Sequence, residues 1–209
     1  MKRAAHCFHG NHAGLTTEQV MSRISTPASI DVAPAASRPL LGAVEKQLGS
    51  VPNMFRLIGN SSAALEGYLS LNGALGKGSI DAKTRERIAL VVAELNGCNY
   101  CLSAHTYLGT HVAKLPEQEI SESRKARSAD GKVESALRFA SALVQKRGHV
   151  GLAEFNAVKA AGYDDAQIVE IVSLVALNTL TNYVNSALGT DVDFPLVTHG
   201  AHSLATDAA

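Results

Sequence analysis

Two cysteines stand as Cys98-x-x-Cys101, and His105 follows the second by one helical turn. Residues three and four apart share a helix face, so a helix through this segment puts all three side chains on one stripe. The chemistry such a stripe offers is that of the thiolate. A free thiol of pKa about 8.5 is only about 3% ionised at pH 7. Lowering that value to about 6, as a helix start or a nearby imidazole does, makes it roughly 90% ionised. The gain in attacking species is about thirtyfold, offset in part because nucleophilicity falls with pKa. Cys98 falls at the helix start, where free amides and the dipole favour an anion. His105 is placed to accept or hold the proton of Cys101. Glu86 lies on the preceding segment and reaches the thiols if the Asn96-Gly97 break folds one helix onto the other. Periodicity alone makes Glu86 a solvated charge beside Arg85 and Arg87, and Glu94 is a second carboxylate that could play the same part.

These residues need a helical frame, and the chain supplies one. Asp81 suits an N-cap, and Ile88, Val91, Val92 and Leu95 follow it at the spacing of one buried helical face. Asn96-Gly97 ends that helix and Cys98 begins another running to about residue 114. Upstream, helices are expected over 40–48, stopped by Gly49, in a short turn after Val51-Pro52, and from Ser61 or Ser62 to about residue 76. Downstream they are expected over 116–123, 133–147, 152–161 and 164–188. The last is apolar on nearly every face and is expected in the middle of the fold. No alternating run long enough for a strand appears, so the fold class is all-α.

A faint internal repeat runs through this frame. Sliding Asp81 onto Asp164 also sets Ile88 on Ile171, Val92 on Val175, Asn99-Tyr100 on Asn182-Tyr183 and Ser103-Ala104 on Ser186-Ala187. The copies differ where chemistry is carried: Glu86, Cys98, Cys101 and His105 face Val169, Thr181, Val184 and Leu188. One copy carries reactive groups and the other carries packing.

Residues 1–38 collect Pro, Ser, Thr and Ala without periodicity and read as a mobile or draped arm; 39–197 form the helical domain, and 198–209 a tail. His6, Cys7, His9 and His12 lie in the arm without the supporting contacts that a metal site needs. Met21 offers an alternative start, which would make the first twenty residues an upstream extension. The chain has 209 residues, 46% of them hydrophobic, with 19 Lys and Arg against 19 Asp and Glu. That balance excludes bulk disorder and lacks the basic stripe of a nucleic-acid grip or a membrane-surface anchor. The longest apolar stretch, 168–177, is interrupted by Glu170 and Ser173 and is too short to span a bilayer. A polar, His-rich segment follows Met1-Lys2-Arg3 where a secretory signal needs an apolar run. The reading is a soluble, cytoplasmic protein whose paired thiols serve redox or metal chemistry.

Taken together, Arg85-Glu86-Arg87-Ile88-Ala89-Leu90, Asn96-Gly97-Cys98-Asn99-Tyr100-Cys101 and Ala104-His105 resemble the core of the alkylhydroperoxidase AhpD-like, peroxidase-related branch of the carboxymuconolactone decarboxylase superfamily. Val51-Pro52-Asn53-Met54-Phe55, the segment from Asn178 to Asn185, and Asp191-Val192-Asp193-Phe194-Pro195 agree with it. The resemblance implies an AhpD-like helical bundle with internal duplication and an antioxidant thiol peroxidase without metal or other cofactor. By the same resemblance Cys101 attacks an organic hydroperoxide, Cys98 resolves the sulfenic acid into a disulfide, and Glu86 and His105 relay protons. It further implies an external dithiol reductant such as a lipoylated protein, and a homo-oligomer, either a trimer or a hexamer built from dimers. Tyr100 departs from the pattern, since some relatives carry a histidine between the cysteines.

Other chemistries compete. General disulfide oxidoreduction would use the same pair. A decarboxylase or lactone-acting enzyme of the superfamily does not require paired thiols. A structural zinc site would join Cys98, Cys101 and His105 to His111, but His111 lies nearly three turns beyond Cys101 on a straight helix. Tyr68 and Tyr107 are candidates for a substrate entrance or for core, and His149, His199 and His202 have no partner pattern.

Overall fold

The computed structural model describes residues 22–200; the histidines and cysteine of the first twenty residues, Met21 and His202 lie outside them. Among the described residues the fold is all-helical, with no strand. Nine α-helices follow two short 3-10 turns: α1 Arg38–Leu48, α2 Asn53–Ile58, α3 Ser62–Leu75, α4 Ala82–Leu95, α5 Asn99–His111, α6 Glu117–Arg124, α7 Gly131–Gln145, α8 Leu152–Ala160 and α9 Asp165–Leu188.

The ends follow from local chemistry. Pro39 occupies the first turn of α1, and Gly49 closes it in the left-handed region at φ 78°. Ser61, Asp81 and Asp164 each accept a backbone N–H of the turn they open. The two ends of the sequence repeat are therefore capped alike. The backbone paths of the copies then part at the α4–α5 junction. Gly97, at φ 66°, breaks the α4–α5 path, whereas its counterpart Leu180 lies inside an uninterrupted α9.

Helix α4 is the centre of the molecule and packs against α5, α6, α7 and α9. Ile88, Val91 and Val92 face Leu137, Phe139 and Ala140 of α7 and Ile171, Leu174 and Val175 of α9 in one core. Leu90 and Ala93 face the other way, into a second core with Leu41, Met54, Ile58, Leu65, Leu102 and both cysteines. Burying each large aliphatic side chain here contributes about 1.5–3 kcal/mol.

Helix α9 packs against α2, α3, α4, α5 and α7, as a central helix does, but it is not enclosed on every side. Its inner face is buried, but Val169 and Tyr183 are 63% and 64% exposed, and Val172 and Leu180 are also exposed. Part of its hydrophobicity belongs to a second apolar stripe that none of the described residues covers. Residues 22–38 are draped: Arg23 N–H donates to Leu188 O, Arg56 reaches Ala28 O, and Asn60 reaches Ser25 O. No helix of the described residues is long and apolar enough to cross a membrane.

Candidate active site

The Asn96-Gly97 turn reverses the chain so that α5 lies along α4, with Cys98 as the N-cap residue of α5. The Cys98 sulfur takes the place usually held by a Ser or Asp oxygen and accepts the Cys101 N–H at 3.3 Å. The two sulfurs are 2.6 Å apart and both cysteines are free thiols. Cys98 and Cys101 are 2% and 3% exposed, so bulk water is largely kept from both sulfurs.

The fold brings the distant carboxylate to the stripe. His105 Nδ1 lies 2.8 Å from Glu86 Oε2, and both side chains keep about a fifth of their surface, 21% and 23%. The flanking arginines are engaged elsewhere: Arg85 donates to Ile80 O and Arg87 pairs with Glu119. Glu86 is thus a partner of His105 and not the solvated charge that periodicity suggests. Glu94 does not share this part, because Arg124 Nε and the Gly200 N–H both donate to it at 2.7 Å.

Electrostatics separate the two thiols. The hydrogen bond with Cys101 lowers the pKa of Cys98; burial opposes this, while the Cys101 N–H, Ser186 and the charge of His105 add to the lowering. Cys101 is pushed up, first by sharing its proton with Cys98 and then by burial and the Cys98 charge. One proton therefore rests between two sulfurs, held on Cys101. The acidic thiol is the one at the helix start, not the one a turn from His105. Burial works against a charged His105, but the Glu86 carboxylate outweighs it, and with Cys98 holds the imidazole above its ordinary pKa.

Several side chains that sequence reasoning set aside also stand here. Tyr68 lies edge-on to Phe55, and the charges of Cys101 and Glu86 add to the burial that raises its phenol. Asn185 Nδ2 donates to Cys101 Sγ at 3.2 Å, across the repeat. Tyr100, one of the two residues between the cysteines, turns away: its hydroxyl accepts the Met54 N–H and its ring packs on Phe194. Tyr107 is outside the core, 41% exposed, and stacks on His111 and Phe194. Among the described residues no three His, Cys, Asp or Glu side chains converge as metal ligands. His199 covers the Gly97 turn, its N–H bound to Asn99 Oδ1.

Residues 62–145, which hold Glu86, both thiols and His105, match the carboxymuconolactone decarboxylase family. Over 42 residues the chain is 50% identical to an uncharacterized protein of Haemophilus influenzae, a match covering 20% of this chain and 37% of that protein. Among solved structures, an uncharacterized peroxidase-related protein from Silicibacter sp. TM1040 superposes with a TM-score of 0.72 at 23% identity, over 85% of this chain and 95% of the other. An alkylhydroperoxidase AhpD core protein from Ralstonia eutropha JMP134 gives 0.73 at 22% identity, over 82% and 92%. A cysteine-to-alanine variant of the debrominase Bmp8, in complex with 2,3,4-tribromopyrrole, gives 0.70 at 20% identity, over 83% and 94%. Likeness at these identities establishes the fold, and one fold here hosts more than one named activity.

Proposed function

We propose that this chain, which belongs to the carboxymuconolactone decarboxylase family in its AhpD-like form, is a thiol-dependent peroxidase that reduces organic hydroperoxides through a Cys98–Cys101 redox cycle. The observation that carries the reading is the pair of free sulfurs 2.6 Å apart, next to a histidine whose Nδ1 is held by Glu86 at 2.8 Å. The debrominase name and the complex with 2,3,4-tribromopyrrole belong to Bmp8.

The proton inventory supports a two-step cycle. The cycle starts from the reduced pair with the thiolate on Cys98, the thiol whose pKa is lowered, the shared proton on Cys101, whose pKa is raised, and a proton on His105, which Glu86 favours. The proton passes from Cys101 to Cys98 as the Cys101 sulfur attacks the terminal hydroperoxide oxygen. The S–O bond forms, the O–O bond breaks, and the leaving alkoxide takes the proton of His105 to become the alcohol. His105, now neutral, takes the proton back from Cys98. The Cys98 thiolate then attacks the Cys101 sulfenic acid; the S–S bond forms and hydroxide leaves as water with the His105 proton. Two thiols and one hydroperoxide give a disulfide, an alcohol and water. This route accounts for an acidic thiol at Cys98 and attack by Cys101, because Cys98 acts as the base of its neighbour.

An external dithiol, a lipoylated protein by family resemblance, reopens the disulfide, and a reducing cytoplasm suits the resting thiols. The reading includes a homo-oligomer, a trimer or a hexamer built from dimers. In its favour, apolar α3 buries only Leu65, and the outer stripe of α9 is bare. Intact mass and free-thiol count after one equivalent of an alkyl hydroperoxide test the function. Loss of two thiols without added metal or cofactor supports it; thiols that survive the oxidant overturn it. Turnover of dithiols and disulfides without any peroxide would assign the same pair to general disulfide oxidoreduction.

A further inference from the structure

Two amides on α9 have no part in that proton relay, yet they face its sulfur. Asn182 and Asn185 are 1% and 4% exposed and stand one turn apart on one face of the helix. Asn182 Oδ1 accepts the Asn96 amide at 2.9 Å, which fixes the orientation of its side chain and turns Nδ2 toward Cys101, whose ionisation it favours, with no close hydrogen-bond partner among the described residues. Asn185 Nδ2 donates to Cys101 Sγ at 3.2 Å, and its Oδ1 has no partner among the described residues. Buried polar atoms are nearly always hydrogen-bonded, so an orphaned pair at a nucleophilic sulfur calls for a ligand. The pair comprises one free donor and one free acceptor. A hydroxyl is donor and acceptor at once, whereas a disulfide offers no donor at all.

We infer that Asn182 and Asn185 form a hydroxyl-binding pair that seats the terminal O–H of a hydroperoxide against Cys101. The hydroperoxide O–H donates to Asn185 Oδ1, and the same oxygen accepts from Asn182 Nδ2. When the Cys101 sulfur takes this oxygen and the O–O bond breaks, the S–O–H group keeps both hydrogen bonds. The sulfenic acid is held in place until Cys98 displaces it. The inference rests on the peroxidase reading and adds to it a reason for selectivity: the site recognises the –OOH end and leaves the organic group free to vary.

The test compares two oxidants on one thiol pair. Asn182→Ala and Asn185→Ala are each reduced, then mixed in single turnover with cumene hydroperoxide or with an aromatic disulfide probe that carries no hydroperoxide group. The expected result is a loss on the order of a hundredfold in the hydroperoxide rate, against a much smaller loss with the probe, which reads the share of the effect that comes from the amides' support of the Cys101 thiolate. Asn182→Leu and Asn185→Leu, which keep the side-chain volume, repeat the measurement if the alanine variants melt early. Equal hydroperoxide rates in wild type and variants overturn the inference, as does a parallel fall with both oxidants, which would make the amides tuners of the thiolate. Wild-type thiols that ignore the hydroperoxide but react with the probe overturn the peroxidase reading, and this inference with it.

Discussion

His105 Nδ1 and Glu86 Oε2 meet at 2.8 Å although the residues lie on separate helices, nineteen positions apart. The contact joins the exposed rim of the site to the thiols buried beneath it, since the charge of His105 is felt at Cys98. It also supplies the one protonated group that the proposed cycle needs for its leaving alkoxide.

Glu86→Gln removes that support. In the folded protein the His105 pKa is raised, so the pair contributes stability that is complete below the unfolded value of about 6.5 and is lost as pH climbs through the folded value. The stability gap between wild type and Glu86→Gln is therefore expected to be wider at pH 6 than at pH 9, measured by urea unfolding. The His105 ring, followed by NMR, should titrate at lower pH in the variant. Peroxide turnover at neutral pH should drop by about tenfold to a hundredfold. A gap that widens with rising pH would contradict this sign.

Exchange of the sulfurs separates acid from attacker. Cys101→Ala takes away the hydrogen bond that chiefly lowers Cys98, so the pH midpoint for Cys98 alkylation should rise. Cys98→Ser leaves Cys101 with nothing to resolve it, and a dimedone adduct should accumulate there after one equivalent of hydroperoxide. An adduct trapped on Cys98 in Cys101→Ser, with none on Cys101 in Cys98→Ser, reverses the assignment.

Much of this was legible from residue spacing. Capping residues, left-handed glycines and the i, i+3, i+4 pattern are local signals, so all nine helices could be placed within a few residues. The Cys98–Cys101–His105 stripe was legible for the same reason. The partnership of Glu86 was not, because Arg85 and Arg87 look like its natural companions until Ile80 O and Glu119 are seen to occupy them. Asn182 and Asn185 were hidden by distance along the chain: they serve Cys101 across the repeat, where the sequence shows only packing residues. The bare side of α9 was not legible, because an apolar stripe looks the same in the sequence whether it is covered or exposed.

The turn that aims the thiols can be strained on purpose. A Cβ on Gly97 would sit in the left-handed region and 3.2 Å from the His199 ring. Gly97→Ala is expected to cost about 1–2 kcal/mol, and to slow thiol oxidation by shifting Cys98 relative to Glu86. The double variant Gly97→Ala/His199→Ala should recover the steric share and leave the backbone share. Thermal melts of the three proteins measure both. Full recovery in the double variant would mean that the backbone tolerates the left-handed alanine.

The bare stripe of α9 gives the assembly a direct test. Val169, Val172, Leu180 and Tyr183 are large apolar side chains left in water on one helix, contrary to the usual economy of a soluble surface. If copies of the chain bury this stripe, Leu180→Glu sets a charge in the contact, and burying an unpaired carboxylate is unfavourable. Light scattering on a sizing column should then show wild type as a multimer and Leu180→Glu shifted toward the monomer. Because Leu180 is exposed and points away from the core that holds the thiols, the variant's far-UV circular dichroism should match wild type. A wild type that runs as a monomer at every concentration, or a variant whose size is unchanged, would show that this stripe does not join the copies.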